Sequence, residues 1–211
     1  MFKRINQFIL PSFCLLLLLS AGCQKGTFDI NDINPNVPSN VSPKFILSGA
    51  LMRSAQIMAG GDADFAELYM GYWSVSGDYI PVTSTLTYQT TTGYYSDNWD
   101  GSYQLLKNYR QIEQLASADP NLTNYVAMGK IMESFHFERL VDMYNNIPYS
   151  QALQGGTINY PTYDDAATVY AGVIGTLDTA IQLIHAAPAT AESPGAYDIL
   201  FQGSMTLWEE F

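Results

Sequence analysis

The chain has 211 residues, of which 47% are hydrophobic and only 14% are charged. This composition predicts one folded domain with a sizeable core and excludes a disordered chain. The formal net charge of −11 argues against a nucleic-acid ligand and against electrostatic docking on anionic lipid headgroups. Aromatic residues are in excess, with 15 Tyr, 10 Phe and 3 Trp. Exposed rings stack on sugars or peptides, although burial is the commoner fate of a single tyrosine.

The chain begins with a predicted secretory signal peptide, residues 1–22. It has a basic start, Lys3-Arg4, and an apolar run from Phe8 to Leu19 that suits a leader and is short for a membrane span. Three small residues then precede Cys23, an arrangement that resembles a bacterial lipobox. In a lipobox the cysteine becomes the fatty-acylated (palmitate-bearing) amino terminus. The alternative is an ordinary cleaved leader followed by a chance cysteine.

Cysteine usage agrees with a lipoprotein. Cys14 leaves with the leader and Cys23 is acylated, so the rest of the sequence has no thiol for a disulfide and relies on packing for stability. Residues 23–42 are polar and rich in Pro and Asn, which predicts a tether. Residues 43–211 then form the folded domain.

The first part of this domain predicts two helices and a long loop. Apolar spacing indicates a helix over residues 44–59 with Pro43 at its entry. A second helix is expected over residues 63–73, with Asp62 as its cap. Residues 77–93 lack a helical period and contain many threonines, so we expect a loop there, and loops of this length are usually functional.

A helical hairpin follows. The third helix is predicted over residues 95–116, and a short turn at Asp119-Pro120 leads into a long fourth helix that starts at Leu122. This fourth helix is apolar around most of its circumference, which predicts a position inside a helical stack. Only a narrow face of this helix is expected to be exposed to solvent, and it is formed by Lys130, Glu133, Glu138 and Asp142. It is expected to end near Asn145-Asn146, because asparagine tolerates left-handed geometry and Pro148 disfavours further helix.

Two more helices complete the sequence. The fifth is predicted to start at Thr162, with Asp165 completing a capping box, and to end before Pro188. Gly172 and Gly175 lower its helix propensity and therefore predict the close approach of a neighbouring helix backbone. Residues 205–211 indicate the first turns of a sixth helix. The predicted fold is all-α, with TPR-like antiparallel helix pairs and long ordered loops.

The segment after the fourth helix carries a motif. Residues 142–155 read D-x-Y-x-x-I-P-Y-S-x-A-L-x-G, followed by P-x-Y-D at 161–164 and V-Y at 169–170. This pattern resembles the SusD/RagB-like outer-membrane lipoproteins, and within them the SusD-like branch, which usually has Gly-Asp where this chain has Asn145-Asn146. The resemblance covers the chain as the amino-terminal portion of a family whose members are more than twice as long.

The resemblance implies a location and partners. Members of the family are α-helical, contain TPR-like helix pairs and are lipid-anchored on the outer membrane, facing outward. They act as lids on SusC-like TonB-dependent β-barrel transporters and capture oligosaccharides or, in the RagB branch, peptides. Cys23 matches the acylated position of the family. The motifs identify the family and not the ligand, because no residue of the candidate site below matches a family binding motif.

Catalytic and metal motifs are absent from the sequence. His136 and His185 lie far apart without further ligands at metal spacing, so we interpret both as structural. The carboxylate pairs Asp164-Asp165 and Glu209-Glu210 are adjacent in sequence and do not face one another as a glycosidase requires. No lipase-type serine elbow, phosphate loop, zinc-helix or dinucleotide motif occurs. We therefore expect no enzyme activity, no cofactor and no metal.

Aromatic and polar residues around the second helix and the long loop form the candidate ligand site. We predict Trp73, Asp78, Tyr79 and Tyr88 as ligand-binding residues, since rings offer apolar platforms and polar groups bond to hydroxyls. For Tyr72, which belongs to the same group, and for Trp73 the alternative is a helix end that packs in the core, and for Tyr79 and Tyr88 the alternative is burial. Trp99 and Tyr103 are predicted to be core.

The function predicted from these observations is the capture of oligosaccharides at the cell surface for a SusC-like transporter. A peptide ligand is one alternative, and a purely architectural lid without ligand contacts is another. A surface hydrolase is a third alternative, which would need facing carboxylates in a cleft.

Overall fold

A computed structural model describes residues 41–59, 62–74, 76, 86–89 and 91–211, without the side chains of residues 62–65 and 97. The predicted leader, Cys23, the tether up to residue 40, and the candidate residues Asp78 and Tyr79 lie outside the described residues.

Within this described part, six α-helices and two 3₁₀ turns account for the regular structure. The helices are α1 (Pro43–Ala59), α2 (Asp62–Tyr69), α3 (Ser96–Ala116), α4 (Thr123–Tyr144), α5 (Ala166–Ala186) and α6 (Met205–Glu210). The 3₁₀ turns are Pro120–Leu122 and Gly195–Tyr197. The prediction of an all-α, TPR-like fold is confirmed.

Helix α4 is the central element, as its sequence predicts. Helices α3 and α5 pack along it, α1 packs on α3, and the short α6 touches both α4 and α5. Gly129 permits the close approach of α3, because a Cβ there would lie 2.8 Å from Cγ of Glu113 and 3.2 Å from the Tyr109 carbonyl oxygen. A glycine that is unfavourable for an isolated helix is therefore required by the packing of two helices.

The solvent-exposed polar strip predicted on α4 does not include Glu133, because this residue is buried. The prediction is wrong at this position. Its carboxylate pairs with Arg110 of α3, and the neighbouring Glu113 pairs with Lys130 at 3.0 Å. Burial, followed by the like charge of Glu113, raises the pKa of Glu133 above its ordinary value. The charges are therefore held between α3 and α4, a pairing that the sequence of α4 alone does not reveal.

Two clusters of buried side chains form the core. The first joins α1, α3, α4 and α6 through residues such as Leu51, Ile112, Met128 and Trp208. The second lies at the other end of α4 and includes Phe137, Leu140, Ile147 and Val173. Leu177 of α5 packs against both clusters and so connects them.

The chain after α4 is fixed to the start of α5. Asn145 ends the helix as predicted and has a positive φ of 64°, but its ψ of −94° lies outside the left-handed helical region. Ile147 then forms an isolated antiparallel bridge with Asp164. The Asp164 carboxylate accepts hydrogen bonds from the Tyr149 and Ser150 amides at 2.9 and 2.8 Å, and from the Ser150 hydroxyl at 2.8 Å. Desolvation raises the pKa of Asp164, but these hydrogen bonds outweigh it and the pKa is lowered. The same bonds hold the motif residues Ile147–Ser150 in an ordered loop.

The predicted start of α5 at Thr162 and the predicted capping box are both wrong. The helix begins at Ala166, and Asp165 itself is the cap, because its carboxylate accepts from the Ala167 amide at 3.1 Å. The Thr162 amide instead donates to Gln151 Oε1 at 3.1 Å, so Thr162 is not the cap of a capping box.

The glycines of α5 also differ from expectation. A Cβ at Gly172 would lie 2.5 Å from Cε1 of Tyr149, so the close neighbour is a side chain and not a helix backbone. A Cβ at Gly175 would meet nothing within 4 Å.

Candidate ligand-binding site

The second helix ends earlier than predicted, and this places two aromatic residues outside it. Gly71 has a φ of 74°, the Tyr72 amide donates to the Glu67 carbonyl oxygen at 2.9 Å, and the Gly71 amide donates to the Leu68 carbonyl oxygen at 3.3 Å. This is the geometry of a Schellman cap, for which Gly71 is the sequence signal that we missed. Tyr72 and Trp73 therefore follow α2 as an irregular segment.

The candidate rings in the described residues are exposed. The relative exposure is 78% for Tyr72, 52% for Trp73 and 64% for Tyr88. The alternative of a buried helix end is therefore wrong for Trp73, and Tyr88 is not a core residue either. Such exposure of large aromatic side chains is typical of ligand or partner surfaces when several occur together.

Tyr88 connects the 86–89 turn to the end of α2. Its ring lies 4.9 Å from that of Tyr69 at an angle of 80°, and its hydroxyl donates to the Tyr69 carbonyl oxygen at 3.0 Å. Partial burial, then the nearby Tyr94 and Tyr88 phenols, raises the pKa of Tyr69. The structure thus brings Tyr88 to the helix end from which Tyr72 and Trp73 extend.

A second aromatic cluster surrounds Trp99 and Tyr103, which sequence reasoning assigned to the core. Both are half-buried and pack against the second core cluster, in agreement with that assignment, and they also line a cavity of about 170 Å³ together with Lys107, Pro148 and Leu153. The Tyr103 hydroxyl donates to the Pro148 carbonyl oxygen at 2.7 Å. Burial, then the neighbouring phenol of Tyr163, raises the pKa of Tyr103. Helical periodicity could not reveal this cavity, because its other wall is the irregular loop after α4.

The histidines have structural partners. His136 is fully buried, and its Nε2 lies 2.8 Å from the Ser54 hydroxyl, which is itself 2.6 Å from the Tyr109 hydroxyl. Burial, aided by the charge of Arg139, lowers the pKa of His136 to about 3. His185 pairs with Glu209 at 2.8 Å on the surface. A serine beside a histidine that no substrate can reach has no nucleophilic role.

The described residues offer no group of three or more His, Cys, Asp or Glu side chains that could hold a metal ion. Asp164 and Asp165 are engaged in the loop and cap hydrogen bonds, and Glu209 in the pair with His185. The arrangement of the described residues is thus that of an all-helical, TPR-like scaffold that presents exposed aromatic rings.

Comparison with known proteins identifies the family. Residues 35–211 match the profile of the SusD-like family described as "Starch-binding associating with outer membrane". This match spans most of the sequence, and the chain belongs to the SusD-like family. No curated protein sequence matches significantly.

Solved structures show the same fold. A SusD/RagB family protein from Bacteroides thetaiotaomicron is similar with a TM-score of 0.67 and 23% identity, over 82% of this chain and 36% of that chain. A chitin-binding protein has a TM-score of 0.58 and 25% identity, over 77% of this chain and 36% of that one. A chitin-binding SusD homologue from Flavobacterium johnsoniae has a TM-score of 0.56 and 20% identity, over 78% of this chain and 36% of that one. The chain thus spans about a third of the length of these structures.

Proposed function

We propose that this chain belongs to a non-catalytic outer-membrane lipoprotein that binds oligosaccharides and delivers them to a SusC-like TonB-dependent transporter. The observation that carries the proposal is the exposure of Tyr72, Trp73 and Tyr88 beside the end of α2. The family description as starch-binding, and the chitin-binding similar structures, support a glycan as the ligand class. Asp78 and Tyr79 remain predicted members of this site.

The chemistry of these residues suits a sugar. Tryptophan and tyrosine rings provide flat apolar faces for the C–H groups of a pyranose, and each phenol retains a polar edge that can bond to hydroxyl groups. The net charge of −11 disfavours anionic ligands and leaves neutral oligosaccharides as the expected class. Asp164, Asp165 and Glu209, which belong to the carboxylate pairs adjacent in sequence, are engaged in structural contacts, and this argues against a role for them in hydrolysis.

Calorimetric titration with malto- and chito-oligosaccharides tests the binding. We expect Trp73→Ala and Tyr88→Ala each to weaken the affinity about tenfold, equivalent to about 1.4 kcal/mol. Tyr160→Ala is the matched control, because Tyr160 is 93% exposed and lies in the loop before α5, outside the proposed site. Absence of binding to every oligosaccharide would contradict the proposal. Binding of peptides alone would favour a RagB-type role, and absence of any ligand binding would favour an architectural lid. Unchanged affinity in both variants would mean that the oligosaccharide binds away from Trp73 and Tyr88.

The anchor and the transporter need their own tests. We expect labelled palmitate to enter the protein in cells and Cys23→Ala to abolish the labelling. We also expect a large outer-membrane β-barrel to copurify with the detergent-solubilised protein. A Cys23→Ala protein that still carries palmitate would refute the assignment of the acylated residue.

A further inference from the structure

The cavity beside Trp99 and Tyr103 has the size and the lining of a small binding site. Its volume of about 170 Å³ has room for about six water molecules of about 30 Å³ each, which suits one ring of a sugar and not a whole oligosaccharide. The Tyr163 ring lies nearly parallel to that of Trp99, with the centroids 6.1 Å apart, and is 64% exposed. An offset pair of this kind leaves part of its ring faces open to a ligand.

Lys107 supplies the polar edge of the cavity. It is exposed and lines the cavity one helical turn after Tyr103. No carboxylate in the described part of the chain forms an ion pair with it, so its ammonium group has three donors to offer a ligand. The Tyr103 hydroxyl already donates to the Pro148 carbonyl oxygen and keeps only its acceptor capacity. Open ring faces beside these polar groups match a pyranose, which has an apolar C–H face and a hydroxyl edge.

A row of tyrosines leads from the proposed site at the end of α2 towards this cavity. The Tyr88 ring contacts that of Tyr69, and the phenol of Tyr69 adjoins that of Tyr94. The rings of Tyr94 and Tyr95 follow, with their centroids 5.6 Å apart. The row therefore runs from the 86–89 turn to the start of α3.

The same row continues from the start of α3 into the cavity. The Tyr144 hydroxyl donates to the Tyr95 carbonyl oxygen at 3.5 Å, and the Tyr144 ring lies edge-on to Trp99 at 4.9 Å. Tyr95, Tyr144 and Trp99 are all half-buried, so each keeps part of its surface exposed to solvent. The exposed rings at the end of α2 and the Trp99 cavity are thus joined by aromatic contacts.

Backbone strain is concentrated along this row. Five non-glycine residues of the described part of the chain have a positive φ, and three of them are Tyr88 at 55°, Tyr95 at 67° and Leu153 at 62°. Tyr88 and Tyr95 belong to the row, and Leu153 lines the cavity. Bulky residues adopt this conformation rarely, and such strain is typical of ligand sites.

We propose that the Trp99 cavity is a second subsite, which holds one pyranose ring of an oligosaccharide whose other end lies on Tyr72, Trp73 and Tyr88. This inference rests on the proposed function and extends it, because a ligand that reaches both ends must be a long oligosaccharide. Binding at the cavity then discriminates between long and short chains of the same sugar.

Calorimetric titration of the full-length protein with tri- and hexasaccharides of the malto and chito series tests the subsite. We expect Tyr163→Ala and Lys107→Met each to weaken hexasaccharide binding about fivefold and to change trisaccharide binding by less than about twofold. Both side chains are exposed, so both variants should fold with an unchanged unfolding midpoint. Tyr163→Phe keeps the ring and should bind both lengths as the wild type does.

Two control variants match these substitutions. Tyr160→Ala removes a 93% exposed ring from the same loop as Tyr163, and Tyr160 does not line the cavity. Lys44→Met removes the same charge as Lys107→Met, but at the start of α1, where the ammonium group lies over the Tyr197 ring. We expect both controls to bind the hexasaccharide as the wild type does.

Trp99 provides an independent readout. In full-length protein that carries fluorotryptophan, Trp99→Phe identifies the Trp99 fluorine resonance by its loss. We expect a saturating hexasaccharide to shift this resonance, and the trisaccharide to shift that of Trp73 and not that of Trp99. The resonance of Trp208, which is fully buried, should not move with either ligand.

The possible outcomes separate this inference from the proposed function. Unchanged hexasaccharide affinity in Tyr163→Ala and Lys107→Met, or a Trp99 resonance that does not shift, overturns the subsite and leaves the site at Trp73 and Tyr88 intact. Equal losses of affinity for both lengths overturn a separate subsite. A Trp99 shift caused by a proline-rich peptide and by neither hexasaccharide overturns it in favour of a peptide site. Absence of binding to every oligosaccharide refutes the proposed function, and this inference with it.

Discussion

Gly172 and Tyr149 occupy adjoining space at the junction of α5 and the loop after α4. A Cβ atom at Gly172 would lie 2.5 Å from Cε1 and 2.7 Å from the hydroxyl of Tyr149. The tyrosine ring cannot retreat freely, because it packs edge-to-face on Phe137 at 4.8 Å. A glycine in the middle of this helix is therefore explained by the ordered loop.

This relationship predicts opposite effects at two glycines. Gly172→Ala should lower the free energy of unfolding by about 1–3 kcal/mol, because the added methyl group displaces the Tyr149 ring. Gly175→Ala, the control in the same helix, should raise it by up to about 1 kcal/mol, because the space is open and alanine favours helix. Urea denaturation measures both. If both substitutions stabilise the protein, the loop moves aside and the contact is not a constraint.

The buried histidine predicts a pH dependence of stability. His136 has a pKa of about 3 in the folded state and close to its ordinary value of 6.5 when unfolded. The unfolded chain therefore binds a proton that the folded chain does not, so the free energy of unfolding falls as the pH drops below 6.5. The slope contributed by this residue is about 1.4 kcal/mol per pH unit until the pH nears 3.

His136→Gln should remove this contribution. The glutamine amide can still bond to the Ser54 hydroxyl, and it does not titrate. Denaturation at pH 4, 5, 6 and 7 measures the difference between variant and wild type. We expect the variant to gain stability relative to wild type as the pH falls from 6 to 4. A constant difference would mean that His136 is reached by water or by a counter-charge.

We expect substitution of Asp198, in the turn before α6, to lower the free energy of unfolding strongly. Its carboxylate is fully buried and accepts from four donors: the amides of Leu200, Phe201 and Gly203 and the indole Nε1 of Trp208, at 2.8 to 3.2 Å. Asp198→Asn turns one acceptor into a donor that faces other donors. We expect a loss of about 2–4 kcal/mol, measured by denaturant unfolding, with quenched or shifted Trp208 fluorescence. Asp178→Asn, at an exposed position, is the control and should change the free energy of unfolding by less than about 0.5 kcal/mol. Similar losses in both variants would contradict the role of Asp198 as the buried acceptor of this turn.

Tyr88 allows the ring and the hydroxyl to be separated. Tyr88→Phe retains the exposed ring and removes only the hydrogen bond to the Tyr69 carbonyl oxygen. We expect a loss of about 0.5–1 kcal/mol in stability and little change in oligosaccharide affinity, in contrast to Tyr88→Ala. Thermal unfolding and calorimetric titration measure the two effects. A phenylalanine variant that binds as poorly as the alanine variant would assign the recognition to the hydroxyl and not to the ring face.

The sequence predicted the helices well where local signals agree. Helices α1, α3 and α4 combine apolar spacing with clear boundaries such as Pro43, Asp119-Pro120 and Asn145, and their observed limits lie within one or two residues of the predicted ones. Helix α2 was extended too far because Gly71 was not recognised as a C-cap, and that error bears directly on the exposure of Trp73.

Other features could not be predicted because they depend on contacts distant in sequence. Glu133 is buried by its pairing with Arg110, and Trp99 and Tyr103 line a cavity whose far wall is the loop at Pro148. Trp73 and Tyr88 are exposed, as a binding role requires, but the ligand-binding role of all four candidates, including Asp78 and Tyr79, remains a prediction.

Leu177 packs against both core clusters. Unfolding of one cluster is therefore expected to destabilise the other. Cooperative coupling of this kind should give one calorimetric transition for residues 41–211 instead of two. Leu177 also lines a cavity of about 270 Å³ between α4, α5 and α6, so a molecule that binds there is expected to stabilise both clusters. A molecule bound at this edge would therefore raise the unfolding temperature of the whole helical stack.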